Sequence, residues 1–497
     1  MKKTHMTKPA VDGIYDSLKS SYSLFSDPSG MTYATIKINS KIETVPTHDS
    51  KFRRSVTREI HNQTNRAPSA SLVNSYITLL EDDAHNGPVK KVWIRNAYEN
   101  NTVYIDTANE DGDVIKITAY GPSNITQEEC PVVFYRTKRT RPLPKPNLEG
   151  DIEEFFNFFH LENPEHYVLL IASILKAMIP TGATPLISIN GVQGSGKSIG
   201  SRFIKDLIDP TSPSISGMPS TERNFFISAI NSYGLAYDNL SFVNKQMSDI
   251  LCTIITGAGY CTRKLHTDTD EIIFDGKRVI ILNGIPTVLT HPDICQRSFF
   301  LEMAAISPNE RLPESILLQR WENAKPRILG GFYKAVSIAL SNIDTIEQDS
   351  YHRMADFQQW ITAAIPALPF SQEEFLWACE QNRKQINDEA IEADPVASAI
   401  VTMITNLGEW GGTASELLTI LALYTTDDIK RTHEWPSMPN KLTEKLRRAS
   451  VFLNERSILI EFHKSGNRYI NIYSAAQQPT AQVPPPPPAA PMQTYQE

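Results

Sequence analysis

Gly191-Val-Gln-Gly-Ser-Gly-Lys-Ser198 constrains this chain more than any other stretch. It has the spacing G-x-x-x-x-G-K-[ST], and its flanks fit. Pro185-Leu-Ile-Ser-Ile-Asn190 predicts a short buried strand leading in, and Ile199 to Ile208 a helix leading out. Gly191, Gly194 and Gly196 let the main chain wrap closely around phosphate oxygens. The N–H groups of the loop, Val192, Gln193 and Ser195 included, and the positive end of the following helix then attract the anion. Lys197 reaches the terminal phosphates and the Ser198 hydroxyl is a Mg²⁺ ligand. The segment predicts a site for ATP and Mg²⁺ on an α/β core.

A phosphate loop needs a carboxylate on a neighbouring strand to hold the metal. Gly234-Leu-Ala-Tyr-Asp-Asn-Leu240 offers Asp238 at the end of an apolar run, followed by Asn239 where a second acid would serve as base. Asn239 either positions water without deprotonating it, or leaves that task to another group. Arg278-Val-Ile-Ile-Leu-Asn283 is a second buried strand. Placed between the other two, it presents Asn283 near the γ-phosphate; otherwise Asn283 is a turn former before Gly284. Arg297 precedes a third apolar strand. It is a candidate for reaching the nucleotide of a neighbouring subunit, or else a surface ion pair. Asn244-Lys-Gln-Met247 lacks the aspartate a guanine-reading motif requires, which disfavours GTP.

The order of these features, with AYDNLS, SDILC, TGAGYCTRKLHTD, RVIILNGI and RMADFQQW, resembles superfamily 3 and MCM-like AAA+ helicases. It resembles most the primase-helicase-like ATP-binding proteins of phages, plasmids and integrated elements. The resemblance is dense over residues 150–370. It implies a hairpin between Gly257 and Phe274 whose tip (Arg263, Lys264 and His266) tracks single-stranded DNA inside a homo-hexamer. Lys197, Ser198, Asp238, Asn283 and Arg297 take the nucleotide chemistry, and Arg353 is a weaker lid candidate.

Around this core we expect a flexible segment 1–30 and a small α+β domain over 31–135. A basic linker follows over 136–149, with five cations and no acid between Tyr135 and Lys145. The ATPase core with its preceding helices spans 150–310 and a helical lid 311–394. Residues 395–474 give three helices and a strand pair, the pattern of a winged helix, ahead of a Pro-rich tail over 475–497. From Asn440 to Ser474 there are seven Lys/Arg against three Asp/Glu. Lys441, Lys445, Arg447 and Arg448 on the third helix, with Lys464 and Arg468 in the wing, become candidates for duplex DNA. A protein-docking module is the other possibility.

The 48 Lys+Arg against 56 Asp+Glu give a net charge of −8, which excludes a uniformly basic nucleic-acid coat but not a local track. Tyr167 to Ile179, the most apolar run, is too short to span a bilayer and contains Lys176. Five cysteines without a CxxC pair argue for reduced thiols. We expect a cytoplasmic, ATP-driven DNA helicase or replication initiator of a mobile element, with a primase as a possible partner. The rival is an ATP-switched DNA-binding regulator or defence ATPase that does not unwind.

Overall fold

The computed structural model describes residues 8–38, 41–257, 259–263, 271–274, 276–284, 289, 291–347, 353–463 and 469–475. The N-terminal part begins with helix α1 (Lys8–Ser21), then β1 (Ser23–Ser26), β2 (Thr32–Ile38) and β3 (Lys41–Pro46), paired antiparallel in that order. Two helices follow, α2 (Ser50–Thr64) and α3 (Ala70–His85). Asp49 and Ser69 cap them by accepting the N–H of Lys51 and Leu72. The expectation of a flexible start is corrected over α1 and β1: Ile14, Leu18 and Phe25 are buried. Ile14 and Leu18 sit four apart, so one face of α1 packs on Val56, Ile60 and Tyr76.

The next strands are β4 (Val92–Trp93), β5 (Asn96–Glu99), β6 (Thr102–Asp106), β7 (Asp113–Thr118), β8 (Gly121–Thr126) and β9 (Val133–Phe134). β5 to β8 form an antiparallel meander. Its Val103, Ile105, Ile115 and Ile117 belong to the main core rather than to the N-terminal one. The single domain expected over 31–135 is thus two layers with separate cores. Nor is 136–149 a solvated linker. Arg136 pairs with buried Asp106 at 2.6 Å, Leu143 is buried, and Arg141 N and Asn147 N bond the carbonyls of Pro210 and Pro326. The segment is a strap tied down by main-chain bonds.

The central unit holds α4 (Pro164–Met178), β10 (Leu186–Gly191), α5 (Lys197–Ile208), α6 (Glu222–Asn231), β11 (Gly234–Leu240) and α7 (Lys245–Thr256). It continues with β12 (Tyr260–Arg263), β13 (Glu271–Phe274), β14 (Val279–Gly284), α8 (Pro292–Cys295), β15 (Ser298–Met303) and the long α9 (Glu314–Asn342). Four strands pair in the order β11-β14-β10-β15, all parallel. Both faces are covered, so the middles of the strands are mostly apolar, with the polar residues gathered toward their ends. Ile187, Ile189, Ile281 and Leu301 face the core built with α4, α5 and α9; Leu186, Ile280, Leu282 and Phe300 face the other core. Lys176 of α4 is fully buried and donates to the carbonyls of Ile179 and Thr181; burial pushes it down to about 7. Among the described residues no helix is long and apolar enough to cross a membrane.

Helices α10 (Ala355–Ala364) and α11 (Gln372–Ala393) follow, the latter started by a Ser371/Glu374 capping box. The C-terminal unit runs α12 (Pro395–Leu407), β16 (Glu409–Gly412), α13 (Ala414–Leu421), α14 (Asp427–Lys430), α15 (Pro439–Glu455), β17 (Ile458–His463) and β18 (Tyr469–Ser474). Its sheet has the order β16-β18-β17. β16 and α14 are additions to the expected pattern.

Candidate functional site

A parallel sheet sends the carboxyl ends of its strands to one edge, and ligands of such sheets bind there. β10 ends at Gly191 with φ of 141°, and a Cβ there would stand 2.6 Å from the Met303 carbonyl. Only glycine fits. Gly194 and Gly196 also have positive φ, so the chain turns sharply before α5 begins at Lys197. Ser195 Oγ is buried in the loop without a hydrogen-bond partner among the described residues. The Lys197 ammonium donates to the carbonyls of Gly191 and Val192 at 2.7 and 2.8 Å. Burial lowers its pKa, and Asp238 opposes that shift.

β14 lies between β10 and β11, the placement that brings Asn283 toward the phosphate loop. Three side chains from three elements therefore meet. Ser198 Oγ donates to Asp238 Oδ1 at 3.2 Å, and Asn283 Nδ2 donates to Ser198 Oγ and Ser201 Oγ, both at 3.4 Å. Asn283 is buried, so its amide is held rather than swinging in solvent. Asn239 adopts a left-handed φ of 58° where the pairing of β11 with β14 shifts register. Its N–H donates to Asp238 Oδ1 at 2.7 Å, which fixes the carboxylate, while its own side chain is exposed. Asparagine tolerates this conformation better than most residues.

Behind this edge, buried Asp209 follows the last turn of α5. It accepts the N–H groups of Tyr233 and Gly234 at 2.9 and 3.0 Å, and pairs with Arg95 at 3.0 Å and Lys205 at 3.3 Å. The helix that starts at Lys197 is thereby locked to the strand that carries Asp238. Lys205, four positions back, is its one local partner; Tyr233, Gly234 and Arg95 lie 24 to 114 positions away, and no sequence pattern joins them.

Arg297 stands at the other end of the sheet. Ser298 pairs with Leu186 and Met303 with Gly191. At about 3.3 Å per residue, Arg297 is thus roughly 20 Å from its own phosphate loop. Its guanidinium pairs with Asp293 at 3.5 Å, and the side chain is one-fifth exposed. Arg353 reaches the same Asp293 and is also far from the loop. Asn244 caps α7 by accepting the Met247 N–H at 2.9 Å.

β12 and β13 form the expected antiparallel hairpin, with Arg263 opposite Glu271; Lys264 and His266 lie outside the described residues. On α15, Lys441, Lys445 and Arg448 share a stripe at positions i, i+4 and i+7. Lys445 is paired to Glu434 at 2.9 Å and Arg448 to Glu444 at 3.3 Å. Arg447 lies off that stripe and stacks over the Phe462 ring of β17 at 5.0 Å. Lys441 is exposed and has no ion pair among the described residues. Lys464 and Arg468 lie outside them. Among the described residues no cluster of three or more His, Cys, Asp or Glu could hold a metal ion by itself.

Residues 152–370 match the family described as actinomycete integrative conjugative element replication protein, and residues 396–486 match the AICE RepA C-terminal domain. The chain is similar to a mobile-element replication protein. The first match contains the phosphate loop, Asp238, Asn283, Arg297 and Arg353; the second contains α15 and its cations. Residues 1–151 fall outside both. No curated protein matches. Among solved structures, two apo forms of the NrS-1 C-terminal region give 12% identity over 92% and 93% of this chain and 98% and 99% of theirs, with TM-scores of 0.39. A third apo structure of that region gives 13%, 95%, 100% and 0.38.

Proposed function

We propose that this chain is an ATP-hydrolysing, ring-forming DNA helicase or replication initiator of a mobile element. The observation that carries the nucleotide chemistry is the meeting of Ser198, Asp238 and Asn283 within 3.4 Å beside Lys197, at the carboxyl ends of adjacent parallel strands. The donor set suits Mg²⁺, a hard ion that takes one or two protein oxygens and completes its shell with water and phosphate. Ser198 Oγ and the Asp238 carboxylate would hold it, and when bound it offsets charge on the phosphates. Lys197 turns from the loop carbonyls to the phosphates. Asn283 orients Ser198 and presents an amide toward the terminal phosphate. Asn239 carries no basic group, so its part is to place water, not to deprotonate it.

Arg297 is too far to serve its own loop, which favours a role toward a neighbouring copy in a ring. For the C-terminal unit, the element order helix, strand, three helices (the short α14 among them), strand, strand with sheet order β16-β18-β17 supports a winged helix. Phosphate contacts from Lys441 would set its place on duplex without reading sequence.

One observation favours the rival. The exposed amide of Asn239 stands where a second acid would serve as base, which suits slow hydrolysis in a switch. The two are separated by titrating single-stranded DNA into an ATPase assay and following a forked substrate. The motor requires stimulated phosphate release and strand displacement, both absent in Lys197→Ala. Hydrolysis that ignores DNA, with no displacement, establishes the switch.

A further inference from the structure

Between β15 and α9 the chain passes over the phosphate loop, and several contacts hold it there. Ile306 packs against the loop, 3.4 Å from where a Cβ on Gly196 would stand. Ser307 and Glu310 close a turn: the serine hydroxyl donates to the Glu310 carboxylate at 2.7 Å, and Glu310 N donates to Ser307 O at 3.0 Å. Arg202 of α5 bonds Glu314 in the first turn of α9 at 2.9 Å.

Arg311 follows that turn directly. Its Nη2 lies 3.8 Å from the position a Cβ on Gly194 would take, so the guanidinium rests against the middle of the loop. The side chain is exposed, and among the described residues it makes no hydrogen bond or ion pair. The acid next to it is engaged elsewhere: the bonds from Ser307 hold the Glu310 carboxyl below the usual carboxylate range. A cation here rests on the loop that leads into the positive end of α5. An anion held by that loop comes within its reach, and a guanidinium bonds phosphate oxygens in a planar, two-pronged way.

We propose that Arg311 contacts the phosphates of a nucleotide held by its own phosphate loop. The inference rests on the phosphate-loop assignment above and adds a residue to it, one supplied in cis, unlike Arg297. It requires Arg311 to act on the phosphates and not on the base, so a polyphosphate without a base must feel its loss.

The test is equilibrium binding of Mg²⁺ with ATP, and separately of inorganic tripolyphosphate, to the full chain and to three variants. Arg311→Ala is expected to raise both dissociation constants by about tenfold, and Arg311→Lys to recover part of the loss. Circular dichroism checks folding, which an exposed position should not disturb. Unchanged tripolyphosphate binding in Arg311→Ala, with or without weaker ATP binding, overturns the proposal. Lys197→Ala separates the two ideas. If it loses nucleotide while Arg311→Ala does not, Arg311 alone was misassigned; if it binds as tightly as the parent, the phosphate-loop assignment itself fails.

Discussion

At the head of the parallel sheet, Ser198 meets Asp238 and Asn283 across 40 and 85 positions of sequence, within 3.4 Å. On α15, four cations lie within eight residues and enter four different surroundings: solvent, Glu434, Phe462 and Glu444. Sequence distance therefore says little about which residues cooperate. In the sheet, main-chain pairing sets each strand end relative to its neighbours, and the side chains inherit that order. On the helix, each residue turns 100° from the last, and long side chains fold onto whichever acid or ring is within reach.

This contrast predicts large, cooperative losses at the sheet edge and small, separable ones on α15. Lys197→Ala should lower ATP hydrolysis about 10²–10³-fold, the scale for removing one well-placed charge stabiliser. Steady-state phosphate release measures it, and a variant retaining half of the parent rate would move the site elsewhere. Asn283→Ala should come next. It touches the expected metal ligand Ser198 and not the phosphates first, so the Mg²⁺ concentration for half-maximal hydrolysis should rise about 10–100-fold. An unchanged Mg²⁺ dependence would mean that the three-residue contact is packing alone.

On α15 the prediction is a difference between neighbours. Lys441→Ala should weaken duplex binding at all sequences and reduce the slope of log K against log salt by about 0.9. Arg447→Ala should leave that slope unchanged, because its guanidinium is stacked on Phe462. Its cost is instead about 0.5–1 kcal/mol of stability in the C-terminal unit, read by urea unfolding. Equal slopes for the two variants would show that the free-versus-stacked distinction does not survive on DNA.

The sheet edge was legible beforehand because each clue was local: a glycine spacing, and apolar runs ended by Asp238 and Asn283. The strand order was not: whether Asn283 faces the phosphates or only turns the chain is decided by the pairing of β14 with β10 and β11. Long-range partners were not legible. The strap 136–149 reads as solvated because its cations outnumber its acids; the acid that captures Arg136 is Asp106, 30 positions earlier. Helix α1 carried its signal, Ile14 and Leu18 four apart, diluted by Gly13 and serines. Thr413 and Glu416 form a capping box that opens α13, a spacing readable in the sequence. Arg311 belongs to no spacing rule; only the fold brings it to Gly194.

The smallest expected effect is also the sharpest probe of α15. Lys445 shares the stripe of Lys441, yet its ammonium is held at the surface by exposed Glu434 at 2.9 Å. Lys445 in turn keeps the Glu434 carboxyl below its usual range. An exposed pair of this kind is worth about 0–1 kcal/mol, so releasing it should cost the fold little. Glu434→Gln removes the competing charge without changing shape. If the stripe faces DNA, the freed Lys445 adds a phosphate contact, and the salt slope steepens by up to about 0.9. Affinity at moderate salt should then rise no more than about fivefold, the scale of the pair given up. If the slope stays put while Lys441→Ala still flattens it, Lys445 is structural and the contact surface lies toward the amino end of α15. If neither variant moves it, α15 does not meet DNA, and the C-terminal unit docks on protein instead.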